Sequence, residues 1–257
     1  MDLNGKNVIY SGGFGGIGQH CLKELLSNGI KTLAILDVKE NKEILADLQK
    51  AYRAATIIFI QFDITNKESI AAAFKEVVER IKHFDVLING CGVLMEHNID
   101  ITIEVNLLGV IRSTLAALPY MAKNNGGRGG VIVNISSVAG LDLMPYFSIY
   151  TTTKHGVTAF GRCMADQKAF DQFGVSFITV CPGITETNLA ADYHKKVTFD
   201  FYQEYCKKLN TAKRQSGEIC AKNIVKVLRT GRNGGIYMLD VGEIKEITYP
   251  EFWKAEF

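Results

Sequence analysis

The sequence predicts an α/β fold, a doubly wound parallel sheet of about seven strands with helices on both faces, and three observations lead to it. Short apolar runs recur along the chain. Helical patterns of roughly 12 to 25 residues separate them, the length that a crossover between parallel strands requires. The runs themselves are nearly continuous Val, Ile and Leu, as in strands covered on both faces, rather than alternating apolar and polar.

The strand-like runs are Asn7–Ser11, Thr32–Asp37, Thr56–Asp63, Phe84–Asn89, Gly130–Ile135, Val175–Cys181 and Gly235–Asp240. Between them lie helical patterns such as residues 16–28, where Ile17, Cys21, Leu22, Leu25 and Leu26 form one apolar stripe. Right-handed crossovers place such helices on both faces and leave ligands at the carboxyl ends of the strands. The glycine-rich segment 124–130 reads as a connector. Residues 185–215, polar and aromatic by turns, follow a strand end and read as a substrate lid. No repeat or linker divides the chain, so residues 1–257 read as one domain. Its tail, 241–257, ends in Tyr249, Phe252, Trp253 and Phe257, too apolar to float freely, and is expected at a subunit interface or pocket rim.

Composition narrows the partners. The chain is 47% hydrophobic and 22% charged, which supports a large core and excludes a disordered profile. A net charge of +2 gives no electrostatic footprint for nucleic acid or an acidic membrane surface, which leaves a small molecule as the expected partner. No unbroken apolar run approaches the roughly 18 residues of a membrane span. The six cysteines form no C-x-x-C pair and no zinc-ligand spacing, so no metal is expected. Met1–Lys6 lacks signal-peptide character, and the cysteines read as free thiols in a cytoplasmic, reducing setting.

The first strand runs into Ser11-Gly12-Gly13-Phe14-Gly15-Gly16-Ile17-Gly18, which opens a helix. Free N–H groups and the helix dipole favour an anion there, and glycines let a dinucleotide pyrophosphate approach the backbone. Asp37 closes the second strand, where a carboxylate can accept hydrogen bonds from both hydroxyls of an adenosine ribose and would repel a 2′-phosphate. Gly13 and Val38 supply no arginine to offset that repulsion, so NAD is preferred to NADP; Lys39 is the one nearby cation. Asp63 ends the third run, where it either meets the adenine amino group or caps the helix starting near Lys67, with Ile64 beside it. Asn89-Gly90-Cys91-Gly92 follows the fourth run, and its small residues let backbone pass close to the cofactor.

Tyr150 and Lys154 are four residues apart at the start of a helical pattern and therefore share a face. A phenol with a free pKa of about 10 is a poor base near neutrality, and a close, buried cation favours its phenolate. Tyr150 can then take an alcohol proton as hydride leaves. The fifth run ends at Ser136 and Ser137, thirteen residues before the tyrosine. The two serines point to opposite faces, and one of them can hydrogen-bond a substrate oxygen. Asn106 lies inside a long helix, where it is a buried structural amide or holds a water connecting Lys154 to solvent. Leu141, Leu143, Met144, Tyr146 and Phe147 precede Tyr150 and read as an apolar pocket wall beside Ser137, and basic residues at 195–214 are candidates to meet a substrate carboxylate.

Together these residues resemble the short-chain dehydrogenase/reductase family over essentially the whole chain. Gly12, Gly16 and Gly18 match its glycine motif, with Ser11 where Thr is commoner, and Asn89-Gly90-Cys91-Gly92 corresponds to its N-A-G segment with Cys91 for alanine. Asn106, Ser137, Tyr150 and Lys154 match its catalytic tetrad, which selects Ser137 over Ser136. Pro182-Gly183-Ile184-Thr185-Glu186-Thr187 looks like its post-strand segment, where Ile184 backbone and the Thr185 or Thr187 hydroxyl meet the nicotinamide carboxamide. The branch it is most similar to holds the insect-type alcohol dehydrogenases and 15-hydroxyprostaglandin dehydrogenase. The resemblance implies a single-domain Rossmann fold, NAD as cofactor, and reversible oxidation of an apolar secondary alcohol (aliphatic, terpenoid or lipid-hormone type) by Tyr150. It also implies a homodimer or homotetramer packed through the helices that carry Asn106 and Tyr150. Two alternatives are an NADPH-dependent carbonyl reductase and a catalytically silent ligand-binding protein; intact Ser137, Tyr150 and Lys154 speak against the second.

Overall fold

Eight strands form one sheet in the computed structural model, which describes residues 1–250 and 253. They are β1 (Asn7–Ser11), β2 (Thr32–Asp37), β3 (Thr56–Gln61), β4 (Val86–Asn89), β5 (Gly130–Ile135), β6 (Val175–Pro182), β7 (Ile236–Asp240) and β8 (Glu243–Glu246). Their spatial order is β3-β2-β1-β4-β5-β6-β7-β8. The first seven are parallel, as the continuous apolar runs predict, and the order reverses between β1 and β4, opening a crevice at their carboxyl ends. Register aligns those ends: Ser11 pairs with Leu36 and Asn89, and Asn89 with Asn134.

Successive strand residues feed opposite layers. Val8 and Tyr10 pack with Leu22, Leu25 and Ile224 beneath the helices Gly18–Ser27 and Gly217–Thr230. Ile9 points the other way, with Phe74, Leu87 and Ala117, towards the helices Lys67–Ile81 and Gly109–Met121. Each fully buried side chain of this kind contributes about 1.5–3 kcal/mol. One helical stretch among the described residues, Ile99–Met121, is long and apolar enough to cross a membrane, but Val110, Ala117, Leu118 and Met121 on it are buried in the protein's own core.

β8 is the element that the sequence pattern does not announce. It is antiparallel to β7 across a two-residue turn in which Val241 (φ 46°) and Gly242 (φ 87°) are both left-handed. That geometry matches strand twist but favours Asn-Gly or Gly-Gly, and a β-branched residue disguises it. The short polar run Glu-Ile-Lys-Glu then reads as tail. Beyond it, the Tyr249 ring lies 4.3 Å from the Arg162 guanidinium. The interface role expected of the tail falls largely on residues 251, 252 and 254–257, outside the described residues.

Residues 185–215, expected as a lid, are tied together at their two ends. Gln215 donates its amide to the Ile184 carbonyl and accepts the Glu186 amide, each at 2.9 Å, while its buried side chain donates to the Leu239 carbonyl at 2.7 Å. Ala190, Tyr193, Val197 and Cys206 form the apolar underside of this segment and pack on Tyr146, Phe147 and Tyr150.

Candidate active site

A cavity of about 850 Å³ runs along the carboxyl ends of the strands. Its outer half is built on the turn after β1. Gly12 holds φ +74°, and a Cβ there would come within 2.9 Å of the Cys91 amide nitrogen. At Gly18 a Cβ would sit 2.4 Å from the Gly12 carbonyl oxygen, so the first helical turn can lie against the loop only without a side chain. The helix Gly18–Ser27 has no side-chain cap and no acidic residue in its first turn; the Gln19 and His20 amides donate to the Gly15 and Ile17 carbonyls, while the amides of Gly16, Ile17 and Gly18 stay open to an anion. Gly18→Ala is therefore expected to cost about 1–3 kcal/mol by overpacking against backbone that cannot rotate away. A urea titration checks it; an unchanged midpoint would mean that the loop is not held as described.

Asp37 closes β2 beside this turn. Its Oδ2 accepts the Phe14 amide at 2.9 Å and its Oδ1 the Val38 amide at 2.8 Å; each oxygen keeps further accepting capacity, and the residue lines the cavity. β3 ends two residues before Asp63, whose Oδ1 accepts the amide and hydroxyl of Thr65 at 2.9 and 2.7 Å. The cap of the helix Lys67–Ile81 is instead Asn66, which accepts the Ser69 amide. Phe14, Gly15, Gly16, Ile17, Val38, Asp63 and Ile64 line this half, with Gly90, Cys91 and Gly92 from the loop after β4. Burial pushes the Cys91 thiol up to about 12.

Asn89 does not reach the cavity. Its amide donates to Thr114 Oγ1 and Asn134 Oδ1 at 3.0 and 2.9 Å and accepts the Ser113 hydroxyl at 2.8 Å, binding β4 to β5 and to the helix behind them.

At the inner end, the helix Ser148–Met164 presents Tyr150 and Lys154 to the cavity, with the lysine Nζ 5.6 Å from the tyrosine ring centroid. Lys154 Nζ donates to the Ile135 carbonyl at 3.0 Å. Burial lowers its pKa to about 8. Burial also raises the Tyr150 phenol above its usual range, while the nearby Ser137 hydroxyl pulls it down. The two serines diverge as strand alternation requires: Ser136 Oγ turns away to donate to the Lys154 carbonyl at 2.9 Å, and Ser137 Oγ accepts the Ala139 amide at 3.1 Å on the Tyr150 side. Asn106 is fully buried in a π-helical turn, Glu104–Leu108, that interrupts the expected long helix. Its amide donates to the Val93 carbonyl and accepts the Val93 amide, both at 2.8 Å, fixing the loop before the site. Such turns recur at functional positions.

Pro182, Gly183, Ile184, Thr185 and Thr187 form the wall opposite, although the Thr185 hydroxyl is engaged by Gly183 and Gln215. Around Tyr150 the lining is Leu94, Ala139, Met144, Tyr146, Phe147, Ala190, Tyr193 and Leu209. Leu141 and Leu143 stay outside it, because the chain folds into a 3-10 turn after Ser137 and carries Leu143 out to solvent, 76% exposed. No basic residue of 195–214 lines the cavity either. Lys195 pairs with Asp192, Lys196 donates to the Asn188 and Leu189 carbonyls, and Arg214 donates to those of Leu209 and Asn210. Among the described residues, the charged side chains along the cavity are Asp37, Asp63, Lys154 and Glu186. Sequence reading passed over Leu94, which carries no signal beyond apolarity, and also Glu96 and Thr198, which reach the start of the Tyr150 helix from distant segments.

Comparison with known proteins gives the chain its family. The chain is 38% identical over 257 residues to alcohol dehydrogenase 1 of Ceratitis capitata and 39% identical over 257 residues to alcohol dehydrogenase 2 of Ceratitis cosyra, covering 100% of both chains in each case. Its fold is similar to that of levodione reductase, with a TM-score of 0.81 at 20% identity over 93% of this chain and 98% of that one. The family model for short chain dehydrogenases matches residues 6–198, a span that takes in the glycine turn, Asn106, Ser137, Tyr150 and Lys154. On that match and those full-length relatives, the chain belongs to the short chain dehydrogenase family of oxidoreductases.

Proposed function

We propose that the protein reversibly oxidises an apolar secondary alcohol, of aliphatic, terpenoid or lipid-hormone type, to the ketone, with NAD as hydride acceptor and Tyr150 as acid/base. The observation that supports this most is the meeting of Ser137, Tyr150 and Lys154 at the inner end of a cavity whose remaining wall there is apolar. NAD, when bound, supplies the nicotinamide carbon that accepts hydride. The residues of the chain do the rest. The Ser137 hydroxyl orients the substrate oxygen as charge builds on it. Tyr150 takes the alcohol proton, and buried Lys154, cationic below a pKa of about 8, favours its phenolate. Asn106 steadies the loop behind Lys154, where a water would link the ammonium to solvent.

The outer half fits a dinucleotide. The open N–H groups of Gly16, Ile17 and Gly18, at the entry to the helix, suit the diphosphate. The free lone pairs of Asp37 suit the two ribose hydroxyls, whereas a 2′-phosphate would meet a carboxylate. Asp37→Ser is expected to lose about 1.5–3 kcal/mol of NAD recognition, roughly 10- to 150-fold in kcat/KM, and to gain relative use of NADP. Parallel kinetics with both cofactors check this; an unchanged NAD preference would remove Asp37 as its cause. Among the described residues, Lys154 beside Tyr150 is the one cation at the substrate end, and a lining otherwise without basic groups favours a neutral alcohol over a hydroxy acid. Exposed Ile99, Ile101, Leu115 and Tyr120 along the Asn106 helix support a homodimer or homotetramer packed through it. Six free thiols suit a reducing compartment such as the cytoplasm.

A further inference from the structure

Glu96 lies in the loop after β4 and is 4% exposed, yet its carboxylate serves a helix more than fifty residues away. Its Oε2 accepts the Ile149 amide at 2.9 Å and its Oε1 the Tyr150 amide at 2.7 Å. Oε2 also accepts the Thr198 hydroxyl at 2.6 Å. Thr198 Oγ1 accepts the Ser148 amide at 2.9 Å, and the Thr198 amide donates to the Tyr146 carbonyl at 2.9 Å. The three leading amides of the helix Ser148–Met164 are thus satisfied by two side chains from elsewhere, while Phe147, at its N-cap position, supplies none.

An ordinary N-cap is a local Ser, Thr, Asp or Asn bonding two or three residues ahead. Here the cap is divided between a loop and the lid. A buried carboxylate is unfavourable unless its lone pairs are filled. Two N–H groups, one O–H group and the positive end of a 17-residue helix fill them here. One of those bonds is to the backbone of Tyr150 itself.

We infer that Glu96 and Thr198 are positioning residues, which clamp the first turn of this helix and so set the Tyr150 phenol relative to Ser137 and Lys154. The inference rests on the reading of Tyr150 as acid/base. Because Thr198 belongs to the lid, the clamp also ties lid seating to that helix, alongside the packing of Tyr193 on Phe147 at 5.4 Å. A displacement of about 1 Å at a reacting group costs on the order of 10²-fold in rate, so a loosened first turn acts on turnover before it acts on cofactor affinity.

The test uses Glu96→Gln, Thr198→Val and Thr198→Ser in the full chain, with hexan-2-ol and NAD for turnover and NADH fluorescence for binding. Glutamine turns a donor towards one of the helix amides, and valine removes the shared hydroxyl. Both are expected to lower kcat by about 10-fold or more with NADH affinity within about twofold of the parent. Both should also speed hydrogen exchange in the peptide covering 146–152. Thr198→Ser keeps the hydroxyl and is expected to recover most of the turnover. A lower melting temperature with parental kcat in Glu96→Gln and Thr198→Val would overturn the inference, and so would equal kcat losses in Thr198→Val and Thr198→Ser. If Glu96→Gln does not fold, the two Thr198 variants decide. Tyr150→Phe run alongside separates the two readings. Retained turnover there removes the acid/base reading and the clamp's role with it, whereas lost turnover there with parental kcat in the clamp variants overturns the clamp alone.

Discussion

Tyr150→Phe is expected to lose turnover by about 10²–10⁴-fold, the range for removing a positioned general acid/base, while NADH binds as in the parent. Phenylalanine keeps the ring, which packs in the cluster with Phe147, Tyr193 and Ala190, so the cavity walls stay in place. What goes is the Tyr150 hydroxyl near Ser137, the group proposed to exchange a proton with the substrate oxygen. Steady-state NADH formation together with a fluorescence titration of NADH checks both halves of the statement. Turnover near the parental rate would remove Tyr150 from the chemistry, and loss of NADH binding would show that the substitution had damaged the groove.

Lys154→Met should abolish most turnover and yet make the protein more stable at pH 7. Burial holds the lysine at about 8 in the folded chain against an ordinary value of 10.5. Between those values the unfolded chain binds the extra proton, so parental stability rises with pH across that window; below about 8 the full penalty is present. A shift of that size corresponds to about 3 kcal/mol. Removing the ammonium also removes its hydrogen bond to the Ile135 carbonyl, which offsets about 1 kcal/mol. Denaturant titrations should therefore show Lys154→Met more stable by about 2 kcal/mol at pH 7, with the margin shrinking as pH rises through 8 towards 10.5. A variant less stable than the parent at pH 7 would mean that the buried ammonium is better compensated than its single hydrogen bond indicates. The trade of stability for a charged group at a reaction site is a general one.

The parts legible in the sequence are those governed by short-range rules. Burial on both faces writes strands as unbroken apolar runs, and parallel register then brings their carboxyl ends together, so Gly12, Asp37, Gly90 and Ser137 fall on one crevice. Strand alternation separates Ser136 from Ser137, and helical spacing puts Tyr150 and Lys154 on one face. What was not legible depends on partners distant in sequence or on unusual backbone. Asn89 turns inward because Asn134 and Thr114 wait there, and nothing local to it says so. Leu143 misses the cavity because of a 3-10 turn after Ser137, and β8 hides behind a valine in a left-handed turn. Nothing local marks Glu96: its role depends on the Tyr150 amide, 54 residues on, in a helix whose N-cap residue supplies no side-chain bond.

The reaction proposed for this cavity is the oxidation of neutral apolar secondary alcohols with NAD. The most direct measurement is NADH formation across secondary alcohols of graded length, with terpenols and a hydroxy fatty acid included, run with NAD and with NADP. NADH is expected from the neutral alcohols, with kcat/KM rising as the chain fills the apolar wall, and poor turnover of the hydroxy acid and with NADP. Absence of NADH from every alcohol, with the cofactor still bound, would contradict it and mark the protein as a silent binder.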